Sequence, residues 1–292
     1  MDVAEFMDYR KHIDYVVDTF GQWVGVCDEE GWPLLELPPT ISLSASETRG
    51  ASSSVEATVG LDAGHPLLQE FIGKGLGEMK GGKLELSGSA ARLLVVQRPG
   101  ARLAYQSTIG VASGVSGPSE LNIRGVDLLE GLSAWPCPSI PLEWTKAKFS
   151  SWNTDASGVE YSKPRELARV EFGTAVDGYT VDGPAVSVLR TLVQDSLDAV
   201  NALCGWSDDP HMVVDFSGVG VDTSPRVLVR TSDDVVWDTI ADVAQSAGVT
   251  VLVDLWWPGD DPVQVRQSRD PAQYRAVDLG KPMQVVRVEV TE

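Results

Sequence analysis

The chain has 292 residues, 43% of them hydrophobic, and a net charge of −19 from 23 basic and 42 acidic side chains. That length suits two domains, and that apolar content excludes bulk disorder. The acidic balance is the reverse of what a uniform binder of nucleic acid or anionic membrane carries, and its plainest meaning is solubility.

The N-terminus, Met-Asp-Val-Ala-Glu-Phe-Met-Asp, is acidic where a signal peptide would be basic, so export through the general secretory route is not expected. Phe6, Ile13, Val17 and Phe20 recur at roughly helical spacing and predict a helix or docking arm over residues 1–20. From 21 to 124 the pattern changes to short strands joined by Gly and Ser turns. Trp23, Val24 and Val26 lead through the turn Asp28-Glu29-Glu30-Gly31 into Trp32–Leu37. Ile41, Leu43 and Ala45 alternate with serines, and Val55, Ala57 and Val59 alternate with polar residues. Further strands are expected at Lys83–Leu86, Arg92–Gln97, Ala101–Val111 and Leu121–Arg124. Such a series predicts an antiparallel sandwich or barrel-like β domain.

Residues 125–165 are expected to form an extended, irregular connector. Val126–Leu132 reads as one or two helical turns, Pro136, Pro138 and Pro141 impose an extended path, and Ser150–Gly158 reads as a polar loop. Residues 166–292 read as an α+β domain. A strand at 165–172 precedes a helix that starts at Pro184, carries Leu189, Val193, Val200 and Leu203 on one face, and stops at Gly205. Strands follow at Val213–Phe216, Pro225–Arg230, Val263–Gln267 and Gln284–Val290. The fold class is therefore mixed β and α+β. No run reaches the roughly 18 apolar residues of a membrane helix.

Residues 232–262 are the most structured reading in the chain. Thr231 or Ser232 is expected to cap a helix whose positive end meets Asp233 and Asp234. Val236, Ile240, Val243 and Ala247 form its apolar stripe, and Gly248 suits the left-handed position after it. The period then drops to two, with Val249, Val251, Val253 and Leu255 on one strand face. Trp256 and Trp257, adjacent on a strand, must point to opposite faces. One ring fills the core, and the other is expected against a second packed layer, another domain or another chain.

Catalytic patterns are missing or broken. Gly77-Glu-Met-Lys-Gly-Gly82-Lys83-Leu84 satisfies the glycine spacing of a phosphate-binding loop but places Leu84 where the magnesium-binding Ser or Thr belongs. The alternating residues after it predict a glycine hairpin instead. His12, His65 and His211 lack partners at metal-ligand spacing. Cys27, Cys137 and Cys204 are widely separated and odd in number, which supports neither a zinc ribbon nor a disulfide framework. Cys137 lies between prolines with no basic neighbour in sequence to activate it. Asp208-Asp209 and Asp260-Asp261 each precede a proline and read as solvated turns. No catalytic, cofactor-binding or metal-binding residue is assigned, no cofactor is expected, and the chain is not read as an enzyme.

Four stretches resemble the hub proteins at the tail tip of long-tailed actinobacteriophages, a group of minor tail proteins. They are the segment Val26 to Leu37, Val95-Val-Gln-Arg-Pro-Gly-Ala-Arg102, Ile123-Arg-Gly-Val-Asp-Leu-Leu129, and the 232–262 block. The resemblance implies a homotrimer that closes the tail tube beneath a distal tail protein ring. Two barrel-like domains per subunit would match the sixfold tube to threefold distal parts. The channel would open for DNA ejection, with the tape measure protein and other minor tail proteins as partners. It implies location in the virion, after synthesis in the host cytoplasm, and no sequence-specific nucleic-acid binding. Many such hubs carry a longer C-terminal extension, so the resemblance implies either a split hub completed by a second minor tail protein or distal functions that lie elsewhere. In a channel for DNA, acidic side chains would line the lumen and keep phosphates from sticking. The competing classes are a tail-borne cell-wall or carbohydrate hydrolase with paired carboxylates, and a β-rich binding module.

Overall fold

The computed structural model describes residues 1–291 apart from 63, 74–77, 81–82, 86–90, 116, 174–177, 219–220 and 269–272. The chain is mixed β and α+β, with 25% helix and 40% strand. It divides into two compact units. Unit 1 comprises Met1–Glu130, Val253–Pro262 and Val277–Val285, and unit 2 comprises Gly131–Leu252, Val263–Ala276 and Val286–Glu292. The chain thus visits unit 1 three times, where the sequence suggests a simple N-to-C succession.

Unit 1 begins with α1 (Val3–Phe20), whose start is fixed by a capping box: the Asp2 carboxylate accepts from the Glu5 N–H and the Glu5 carboxylate accepts from the Asp2 N–H. Gly21, at φ 82°, ends it in the left-handed region. Phe6, Ile13 and Val17 are buried as the spacing predicts, but Phe20, the last residue of the helix, is 72% exposed.

The strands of unit 1 are β1 (Trp23–Cys27), β2 (Pro33–Glu36), β3 (Thr40–Ala45), β4 (Ser54–Gly60), β5 (Glu78–Lys80), β6 (Lys83–Glu85), β7 (Leu93–Arg98), β8 (Ala101–Ser113) and β9 (Glu120–Asp127). The short α2 (Pro66–Leu68) runs into a π-helical stretch, Gln69–Gly73, between β4 and β5. Seven strands form one antiparallel sheet in the order β2-β1-β7-β8-β9-β4-β3, which is not closed into a barrel. β5 and β6 pair separately. The near-miss phosphate loop falls here: Gly77, Gly81 and Gly82 lie outside the described residues, and the Lys after them opens strand β6 rather than a helix.

Side-chain alternation gives the sheet two apolar faces. Val24, Val26, Val55, Ala57, Val59, Leu94, Val96, Leu121 and Ile123 converge on one cluster. From the other face Trp23, Cys27, Leu93, Val95 and Ala104 pack with α1 and with Trp32, Leu255 and Trp257. β1 is therefore buried at all five positions. Asp28 holds the turn between β1 and β2, its carboxylate accepting from the N–H groups of Glu30, Gly31 and Trp32. Gly31 is required there: φ is 102°, and a Cβ would stand 2.8 Å from Leu255.

Unit 2 follows a 3-10 turn at Leu128–Ser133. Its elements are β10 (Pro136–Cys137), α3 (Pro141–Trp144), β11 (Phe149–Thr154), β12 (Glu160–Ala168), β13 (Thr180–Pro184), α4 (Ala185–Cys204), β14 (Met212–Val214), β15 (Arg226–Arg230), β16 (Asp234–Val235), α5 (Val236–Ser246), β17 (Val249–Trp256), β18 (Val263–Arg266), β19 (Tyr274–Val277) and β20 (Met283–Val290). The division between units falls within β17 and β20. Pairings are β10 with β16, β11 with β12, β13 with β15, β18 with β19, and a triple β14-β20-β17. The core centres on α4, with Leu189, Leu192, Val193 and Leu197 fully buried.

Two expectations fail here. Ser150–Gly158 is a loop only from Asp155 on: residues up to Thr154 form β11, whose exposed sequence carries no apolar period to announce a strand. The expected caps of α5 also fail, since the N-cap is Val235 and no side chain caps it. Asp233 adopts φ 63° instead, and its carboxylate accepts from the Ser139 N–H and Oγ–H at 2.7 and 2.8 Å. The other end of the helix is as expected, with Gly248 at φ 65°. The stripe is Val236, Ile240, Ala244 and Ala247, with Val243 half-buried.

Candidate functional site

In unit 1 the residues singled out by the sequence form a structural node. Trp257 is 1% exposed, packs edge-on against Phe6 and Trp23, and donates its indole N–H to the Gly31 carbonyl at 2.9 Å. Arg102 lies over its ring, 4.1 Å from the centroid. Trp256 is also buried, its indole N–H on the Asp261 carbonyl. Opposite faces thus find cover within the chain, and the pair offers no exposed ring for assembly.

Asp260 is no solvated turn. Its carboxylate takes Arg10 at 2.7 Å, Arg102 at 2.5 Å and the Trp257 N–H at 2.8 Å. Burial pushes its pKa up, but the hydrogen bond and charge of Arg102, the Trp257 N–H and the charge of Arg10 outweigh it and hold the group below its usual value. Asp208 and Asp209 are exposed, as a turn requires.

In unit 2 the charged groups that sequence reading passed over sit on α4. Asp195, 3% exposed, pairs with Arg266 at 2.6 Å and accepts from the Tyr179 hydroxyl at 2.7 Å, while Asp198 takes the same Arg266 nitrogen. Asp215 pairs with Arg287 and accepts from the Ser217 N–H. Pro184 leaves the first turn of α4 without a local cap. Remote residues supply one: Ser224 Oγ accepts from the Val186 N–H, and Asp222 accepts from the N–H and Oγ–H of Ser187. Arg190 and Asp195 are buried on α4 among Val188, Leu189, Leu192 and Val193, while the helix also carries polar residues such as Gln194 and Asp198, so the sequence alone did not single them out.

Beside that helix end lies a cavity of about 350 Å³ lined by Ser187, Arg190, Thr191, Phe216, Asp222 and Tyr274 among others. Phe216 and Tyr274 stack at 5.1 Å. Arg190 is 8% exposed, donates to the Val288 carbonyl at 2.9 Å and leaves its Nε without a partner. Burial lowers its pKa, opposed by the charges of Asp215, Asp222 and Glu289. Those carboxylates offset the guanidinium, so the cavity presents no net attraction for an anion.

The groups with catalytic potential are separated or muted. His12 meets Glu36 at 2.7 Å, His65 accepts from the Leu67 N–H, and His211 stacks edge-on against Trp206. Burial pushes the thiols of Cys27 and Cys137 up, which suppresses the thiolate. Among the described residues no three His, Cys, Asp or Glu side chains are placed to hold a metal ion, and no helix is long and apolar enough to cross a membrane.

Two surfaces remain. β3 is a sheet edge with the sequence Thr-Ile-Ser-Leu-Ser-Ala, free of charge and proline, and Ile41 on it is exposed. The hairpin β11–β12 stands alone, exposed at every strand residue except Tyr161 and Ala168. Its tip is held by Asp155, which accepts from the N–H of Ser157, the Ser157 hydroxyl and the N–H of Val159. No protein-family model matches this chain, and no curated protein matches it.

Proposed function

We propose that this chain is a structural virion protein, a minor tail protein that builds a trimeric tail-tip hub. In this reading it closes the tail tube, adapts sixfold to threefold symmetry and opens for DNA ejection, with a lumen lined by acidic side chains. Its neighbours are the distal tail protein ring, the tape measure protein and other minor tail proteins. The four stretches that resemble such hubs motivate the identity.

The structural observation that carries the assembly part is the β3 edge. Unpaired strand edges template pairing with other chains, and proteins that work alone blunt them with charge, proline or bulges. β3 holds no charge or proline, and although its pairing with β4 slips between Thr40 and Ser42, the regular run Ser42–Ala45 suits an edge covered by a neighbour. The test has two arms. Light scattering at rising concentration is expected to give about three times the mass of one chain. An antibody against the chain is expected to label tail tips of virions that encode it. Failure to label tips, or clearing of host cell walls by the purified chain, would overturn this reading in favour of another tail component or a hydrolase.

A further inference from the structure

We propose that the cavity beside the first turns of α4 in unit 2 binds a small uncharged sugar, with Phe216 and Tyr274 as its apolar wall and Arg190, Thr191 and Glu289 as its polar groups. The proposal stands apart from the hub reading, since it needs neither a trimer nor a tail.

Every wall of the cavity belongs to one unit, and its main elements are held in place. Phe216 and Tyr274 stack with centroids 5.1 Å and planes 24° apart. The Phe216 N–H donates to the Gln264 carbonyl at 2.8 Å, and Gln264 lies on β18, the partner of the strand that carries Tyr274. Arg190 and Thr191 come from α4, whose first turn is tied down by Asp222 and Ser224. The volume of about 350 Å³ falls at the small end of the ~300–1,000 Å³ of ordinary small-ligand sites.

Hydrogen-bonding capacity is left unspent here. Arg190 is 8% exposed, and the Nη2 donation to the Val288 carbonyl is the only hydrogen bond it makes among the described residues. Its Nε is enclosed without a partner, and Nη1 is unpaired as well. Buried donors are almost always paired, so a guanidinium kept this way beside a cavity points to a partner from outside the chain. The side chains of Thr191, half-buried, and Glu289, at the exposed rim, likewise make no hydrogen bond among the described residues. Asp222 differs. Both its oxygens are taken by Ser187 and Ser224, so it shapes the cavity and leaves ligand contacts to others.

These groups select the ligand. An anion gains little, because the charges of Asp215, Asp222 and Glu289 already act on the guanidinium. Arginine grips carboxylate and phosphate best through paired N–H groups. With Nη2 engaged and Nε enclosed, Nη1 is the donor left for a ligand, which suits a hydroxyl. A cation would meet Arg190, and a wholly apolar ligand would leave it unpaired. A hydroxyl both accepts and donates, so the hydroxyls of one sugar can take the Nη1 proton and supply Glu289 and Thr191. The C–H face of the sugar ring then covers the aromatic wall. Apolar surface with a few polar groups is the ordinary make-up of such a site.

The test is ligand-observed saturation-transfer NMR on the full chain with millimolar glucose, galactose, mannose, N-acetylglucosamine and lactose as probes. At least one is expected to bind saturably, with no loss in about 1 M salt, since no net charge is recognised. Tyr274→Ala and Arg190→Met are expected to weaken that binding about tenfold or more. Circular dichroism reports folding. Tyr274 is only half-buried, so its variant carries the test if Arg190→Met does not fold. Trp152→Ala, on the exposed hairpin outside the cavity, is expected to bind as wild type does. No saturable sugar, or binding that survives Tyr274→Ala, overturns the proposal. Loss in Trp152→Ala alone would move the sugar to the hairpin and overturn it too. Displacement of the sugar by inorganic phosphate or glycine, weakened by salt, would reassign the cavity to an anion or an amino acid. Sugar binding in a chain that fails to label tail tips would keep this site and sink the hub. Labelled tips with no sugar bound would do the reverse.

Discussion

Arg102 is held between Trp257 and Asp260: its guanidinium covers the indole ring at 4.1 Å while bonding the carboxylate three residues further along. Arg10 from α1 reaches the same carboxylate and also donates to the Pro258 carbonyl at 2.6 Å. One acidic side chain thus ties the N-terminal helix, β8 and the 257–260 turn of unit 1 together. Removing it by Asp260→Ala leaves two largely buried arginines unpaired. The expected loss is about 3 kcal/mol, seen as a lower urea midpoint. An unchanged midpoint would mean that water replaces the carboxylate without cost.

The same group sets a pH response. Its pKa is lower in the folded protein than in the unfolded chain, so its stabilisation is present above the ordinary aspartate value and is lost as pH falls through the depressed folded value. Urea midpoints measured downward from about pH 5 are expected to fall more steeply for wild type than for Asp260→Asn, which has no proton to gain. Parallel profiles would remove Asp260 from the acid response.

Asp233 combines a left-handed backbone with two hydrogen bonds to Ser139. Asp233→Gly loses the bonds but relaxes the backbone, whereas Asp233→Ala loses the bonds and keeps the strained backbone. The alanine variant is therefore expected to be less stable than the glycine variant by about 1 kcal/mol. The reverse order in thermal melting would show that the left-handed φ angle does not decide this position.

Trp257 and Trp152 are expected to behave oppositely. Trp257→Ala opens a cavity against Phe6 and Trp23 and is expected to cost about 3–5 kcal/mol. Trp152→Ala, on the exposed hairpin, is expected to change stability by less than about 0.5 kcal/mol. Equal losses would place the hairpin in the folding core.

The Asp222 cap gives a local test of α4. Asp222→Ala leaves the Ser187 N–H without its acceptor and is expected to cost about 1 kcal/mol. Hydrogen exchange at the first turn should quicken while the centre of the helix stays protected. No change at Ser187 would mean that Ser224 suffices.

Periodicity in the sequence determined most elements: α1 from Phe6, Ile13 and Val17, the alternating strands of unit 1, α4 from Leu189 and Val193, and the helix–glycine–strand run ending at Trp257. Those features depend on neighbours within a few residues, where side-chain direction follows the backbone repeat. Partnership over long distances was decided by the tertiary structure alone. The turn residue Asp260 became an anchor because Arg10 and Arg102 arrive from positions about 250 and 158 residues away. Trp256 and Trp257 found cover within the chain, Asp233 left its expected capping role for Ser139, and the polar stretch at Ser150 became a strand by pairing with Leu167. A lone sequence carries each group's chemistry but not which distant group will meet it, because that choice belongs to the packing of the whole unit.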